Sequence, residues 1–114
     1  MNTELANNIS SFEPADGNWL PLEYLLEEAF QSSAPEKYYQ AIFNLFERFP
    51  EEDGSGVFWS ALHGMEAVGS YEEKLVQNFR RFPTDMTRAM LVRLRNSGNT
   101  HVAGVSLALL IGAK

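Results

Sequence analysis

NLFERFPEEDG (44–54) is echoed by QNFRRFPTDM (77–86), and both contain Phe-x-Arg-Phe-Pro, 33 residues apart. The shift places Tyr38 on Tyr71, Ile42 on Leu75, Phe46 on Phe79, Phe49 on Phe82 and Pro50 on Pro83. Each phrase reads as a helix end. Apolar residues recur at three- and four-residue spacing, an Arg lies near the carbonyl end of the dipole, and a proline stops the helix. A period in the thirties with two helices per unit is the signature of an α-solenoid. Two unrelated helix ends in a bundle would leave the same local phrase. Both readings are all-α. The expectation is a single domain over 1–114, with about six short antiparallel helices stacked as a small HEAT/armadillo-like α-solenoid. Residues 1–17 are expected as a flexible arm that folds on binding.

Outward from the echo, glycine and proline separate the helices. The first spans 20–31, with Leu22, Leu25, Leu26 and Ala29 on one face and Glu23, Tyr24, Glu27 and Glu28 on the other. Pro21 suits its first turn. The second spans 35–49, and Tyr38, Tyr39, Ile42, Phe43, Leu45, Phe46 and Phe49 cover most of its circumference, which predicts a sandwiched helix. Gly54 and Gly56 precede VFWSALHGMEAV (57–68), and Gly69-Ser70 introduces the helix that Pro83 ends. Thr84 is placed to cap a helix over 85–96, and Asn96-Ser97-Gly98-Asn99 reads as its C-terminal turn. A last helix is predicted over 100–112, apolar on nearly every side.

At 114 residues, 45% hydrophobic and 12% aromatic, the chain has globular composition and the size of one domain. With no cysteine, disulfides and thiolate zinc sites are excluded, and a reducing compartment fits. MNTELANNISSFEPADGN (1–18) has no basic start and no apolar stretch, so it is not a signal peptide. The longest apolar run, VAGVSLALLIGA (102–113), falls short of the roughly 20 residues of a membrane span. The expectation is a soluble cytoplasmic protein with no membrane partner.

The net charge of −6 is unevenly spread. Residues 1–73 hold fourteen acids against Lys37 and Arg48, a net −12; residues 74–114 hold Asp85 against seven bases, a net +6. Phosphate binding needs clustered Lys and Arg, so direct nucleic-acid binding is not expected of the first part. The basic sector of Arg80, Arg81, Arg88, Arg93 and Arg95 reads as helix-dipole partners and intramolecular ion pairs. An acidic face attracts basic partners, and acids also keep a small protein soluble.

Catalytic residues are scarce. His63 lies three residues before Glu66, close enough for one helix face, but a third metal ligand is not apparent. A hydrogen-bonded role between helices suits this pair better, and His101 reads as exposed or as a local cap. GSGVFW (54–59) lacks the Lys-Ser/Thr of a phosphate loop. Ser60 and Ser106 have no base partner in view. Glu27/Glu28 and Glu72/Glu73 read as solvated helix faces. No enzyme, cofactor or metal is indicated.

What remains is surface. Partner contact is expected from Glu23, Glu27, Glu28, Glu51, Glu52 and Asp53, with Trp19 and Tyr24 as anchors and Trp59 in the core.

The stretch 58–98 resembles the helical immunity proteins of bacterial polymorphic toxin systems, including those of contact-dependent growth inhibition loci. The resemblance rests on His63-x-x-Glu66, Tyr71, Leu75, Arg81-x-Pro83-Thr84, Met90-Leu91-x-Arg93 and Asn96. It covers about a third of the chain and does not extend to the N-terminal third. It implies a small cytoplasmic protein that binds and blocks a cognate toxin C-terminal domain, often a nuclease with a basic groove. His63, Glu66, Arg93 and Asn96 match the pattern and are expected as a buried polar network joining the helices at 57–68 and 85–96. The rival expectation is a self-associating helical-repeat scaffold, dimeric through its apolar C-terminal helix, since a solenoid needs a polar terminal cap.

Overall fold

Proline and glycine divide residues 3–112, the part of the chain described by a computed structural model, into short elements. The helices are α1 (Thr3–Ser10), α2 (Leu20–Phe30), α3 (Tyr39–Arg48), α4 (Val57–Val68), α5 (Glu72–Arg81), α6 (Asp85–Asn96) and α7 (Leu107–Gly112). Single 3-10 turns, Pro35–Tyr38 and Gly54–Gly56, lead into α3 and α4. Strands β1 (His101–Val102) and β2 (Val105–Ser106) form a small antiparallel sheet. Helical residues make up 69% of those described.

The local causes are visible at the ends. Pro21 lies in the first turn of α2, where its missing N–H costs nothing. The Thr84 hydroxyl accepts from Thr87 N at 3.1 Å while Thr87 Oγ1 accepts from Thr84 N at 3.0 Å. This reciprocal cap starts α6 with threonine where glutamate is usual. α3 and α5 each begin directly after a tyrosine, Tyr38 or Tyr71, and each ends directly before Phe-Pro.

α1 packs on α3 and α3 on α5, while α2 packs on α4 and α4 on α6. Contacts advance together along each pair. On α2 and α4, Glu23 meets Ser60, and the Phe30 ring lies over Gly64 further along. On α3 and α5, Gln40 meets Asn78 and Glu47 meets Arg81. The core runs between the two rows, with Tyr39, Ile42, Phe43, Leu45 and Phe46 of α3 wholly buried. That is the sandwiched environment its sequence demanded.

The echoed arginine has the same task twice. Arg48 reaches back past the end of α1, donating to Ser10 O (3.0 Å), Phe12 O (2.7 Å) and Glu13 Oε2 (2.9 Å). Arg81, its equivalent 33 residues on, reaches back to Glu47 Oε2 (2.8 Å) near the end of α3. Arg48→Ala should cost about 1–2 kcal/mol, because charge-assisted bonds to two carbonyls are lost from a half-exposed site. Glu13→Ala should cost less than about 0.5 kcal/mol, its carboxylate being solvated. Urea midpoints for the two variants would check the difference.

Two expectations are corrected. The helix predicted over 100–112 is a β-hairpin followed by the short α7. Ala103 and Gly104 both have positive φ (50° and 78°), the geometry of a tight hairpin turn, and Val102 pairs with Val105 across it. The expected flexible arm at 1–17 instead carries α1, whose Leu5 and Ile9, four residues apart, are buried among the core residues. Met1 and Asn2 lie outside the described residues, as do Ala113 and Lys114.

Candidate functional site

The loop between α3 and α4 gathers acids because proline and a side-chain turn fix it. Pro50 O accepts from Asp85 N at 2.9 Å, tying the loop to the start of α6. Asp53 Oδ1 accepts from Ser55 N at 3.1 Å and shapes the turn into α4. Glu51, Glu52, Asp53 and Asp85 therefore surround a depression of about 420 Å³, with Trp59, Met86 and Ala89 as its apolar lining. Four carboxylates around an aromatic face suit a cationic side chain, with the ring quadrupole adding to the charge attraction.

The second acidic group meets the same part of α4. Glu23 Oε2 accepts from the Ser60 hydroxyl at 3.2 Å, and Ser60 follows Trp59. Tyr24, Glu27 and Glu28 are exposed on α2, so Tyr24 keeps its place as a surface aromatic.

Trp19 does not. It is 7% exposed, with ring centroids 5.1 Å from Phe49, 5.3 Å from Phe58 and 5.9 Å from Phe12. Asn18 Oδ1 accepts from Leu20 N, and a bridge between Ala15 and Asn18 closes the turn that precedes the ring. Trp59, expected in the core, is half-buried at the depression.

The predicted polar network forms in part and lies at the surface. Arg93 Nε and Nη2 donate to Glu66 Oε2 and Oε1 at 2.8 and 2.9 Å, a bidentate pair joining α4 and α6. His63 Nδ1 stands 3.6 Å from Glu66 Oε1. The Arg93 bonds hold the Glu66 carboxyl below the usual carboxylate range, against the opposing effect of burial. The His63 and Arg93 side chains are 58% and 43% exposed, so the expectation of burial is corrected. Asn96 is exposed, and its side chain bonds none of the other three; with Glu66, Tyr71 and Arg93 it lines a separate shallow depression.

Sequence reasoning missed a polar seam between α3 and α5. Gln40 Nε2 donates to Asn44 Oδ1 and Asn78 Oδ1, both at 3.0 Å, and buried Asn78 donates to Lys74 O at 2.7 Å. Gln40, Asn44 and Glu47 form the polar stripe of an otherwise apolar helix, and that stripe faces α5. Nearby, Tyr39 donates to Gly69 O at 2.7 Å, and burial pushes its phenol up to about 12.

The basic sector is divided. Arg81 and Arg93 are in ion pairs, while Arg88 donates to Ile111 O and lies over the Phe79 ring. Arg80 and Arg88 flank a groove of about 350 Å³ lined by Phe79, Pro83, Val105, Leu109 and Leu110. Among the described residues no group of three or more His, Asp or Glu is placed to hold a metal ion. No helix among them is long and apolar enough to cross a membrane. The chain matches no family model, no curated protein and no solved structure.

Proposed function

We propose that the chain is a binding inhibitor, an immunity protein that occludes a cognate bacterial toxin domain in the cytoplasm. The carrying observation is the carboxylate-ringed depression at Glu51, Glu52, Asp53 and Asp85, walled by Trp59, with Glu23 of α2 bonded to the next residue, Ser60. A nuclease with a basic groove expects phosphates, and this surface offers clustered anions with an aromatic ring in place of a base. Trp59 and Tyr24 supply apolar contact area, while the acids speed encounter. Asp53 is also held by its own turn, so Glu51 and Glu52 are its freer carboxylates. The scaffold reads as three helix pairs, α1/α2, α3/α4 and α5/α6, stacked as a short α-solenoid and closed by the hairpin and α7. The two rows of helices and the repeated task of Arg48 and Arg81 support that reading.

The test uses the C-terminal domain encoded by the adjacent upstream reading frame, expressed alone and together with this chain. Growth rescue and a one-to-one complex are expected; toxicity without rescue or binding would overturn the reading. Glu27→Lys/Glu28→Lys/Glu51→Lys/Glu52→Lys should fold normally and bind on the order of 10–100-fold more weakly, mostly through slower association at low salt. Unchanged affinity in that variant would remove the acidic surface from the contact.

A further inference from the structure

We infer that copies of the chain associate head to tail, the outer face of α2 on one copy seating in the groove beside α7 of the next. Five large apolar side chains are exposed among the described residues, and three of them, Leu20, Tyr24 and Leu109, lie at two places. Leu109, 74% exposed, lines the groove between the last helix pair and the hairpin. Leu20 and Tyr24, 54% and 63% exposed, stand four residues apart on α2 in the first helix pair. Positions 20, 24, 27 and 28 fall on one helical stripe, which therefore runs from two apolar anchors into Glu27 and Glu28. The groove carries the complement, an apolar floor flanked by Arg80 and Arg88. Arg80 makes no ion pair or hydrogen bond within the described residues, so its charge is available to a neighbour.

Charge also decides the symmetry. Residues 1–73 carry −12 and residues 74–114 carry +6. A two-fold pairing through either patch would set like charges together, whereas head-to-tail contact sets opposite charges together. Such an interface is heterologous and does not close at two copies. It uses the α2 face that the inhibitor reading gives to the toxin, so the two partners would compete for Tyr24, Glu27 and Glu28, and the chain alone suffices to test it.

The experiment is sedimentation of the full chain across a concentration series at low salt. The average mass should rise from the 12.9 kDa monomer past twice that value. Two surface variants each remove one face: Arg80→Glu/Leu109→Glu spoils the groove, and Tyr24→Lys/Glu28→Lys spoils the α2 stripe. Each should remain monomeric with an unchanged far-UV spectrum, and their equimolar mixture should form a species of twice the monomer mass and no larger. Arg80→Glu and Glu28→Lys alone serve as milder versions if a double variant misfolds. A monomer at all concentrations, a mass that stops at two copies, or a mixture that stays monomeric would each overturn the inference.

Discussion

Replacing Trp19 by alanine is expected to destabilise the protein by about 3–5 kcal/mol, the usual cost of removing a large aromatic from a core. The indole touches three rings from three parts of the chain: Phe12 after α1, Phe49 at the end of α3 and Phe58 in α4. Truncation would leave a cavity that no single neighbour can fill, because Phe58 is itself wholly buried against Phe46. Trp19→Phe should recover roughly half of the loss, since the ring contacts persist while volume is lost. Guanidinium unfolding followed by far-UV dichroism would measure both. A loss below about 0.5 kcal/mol, the range of ordinary surface changes, would return Trp19 to the surface.

The second large effect is at Gly54, where conformation and space act together. Its φ is +59°, a region that residues with a Cβ enter at a cost of about 1–2 kcal/mol. A Cβ there would stand 2.9 Å from Phe58 Cδ1 and 3.2 Å from Trp19 Cε3. Both rings are locked in the aromatic cluster, so overpacking adds about 1–3 kcal/mol. Gly54→Ala should therefore cost about 2–5 kcal/mol. Gly56, with φ +92° and no atom within 4 Å of an added Cβ, supplies the control. Gly56→Ala should show the backbone cost alone, about 1–2 kcal/mol. Equal losses at the two glycines would contradict the packing around Gly54.

The sequence was most legible where several signals agreed. The helices at 57–68 and 85–96 have the predicted bounds because glycine, threonine capping and proline coincide with apolar periodicity at their ends. The echo located α3 and α5 for the same reason. α1 is hard to read in the sequence because it spans eight residues, and the three apolar residues of TELANNIS, Leu5, Ala6 and Ile9, are too few to establish a period. The terminal hairpin was hidden by composition: a run of Val, Leu and Ile is compatible with strand or helix, and Ala103 is an unusual residue for a left-handed turn.

Of the proposed site residues, the acids at 51–53 and on α2 were legible because charge belongs at the surface wherever the chain runs. Whether Trp19 or Trp59 faced solvent depended on long-range packing. Each tryptophan is flanked by residues that suit loop or helix equally, and only the Phe12, Phe49 and Phe58 rings decide which one is enclosed. The Glu66–Arg93 pair was anticipated as a link between helices, but its exposure was not, since spacing specifies partners and not depth.

The placement of the two indoles also makes the chain its own optical reporter. Trp19 sits in a dry aromatic cluster and Trp59 beside four carboxylates at the surface, so their emission should separate into a bluer and a redder band. Loss of the bluer band would then track opening of the core. Changes confined to the redder band would track occupancy of the acidic depression, with no dye attached and no residue replaced.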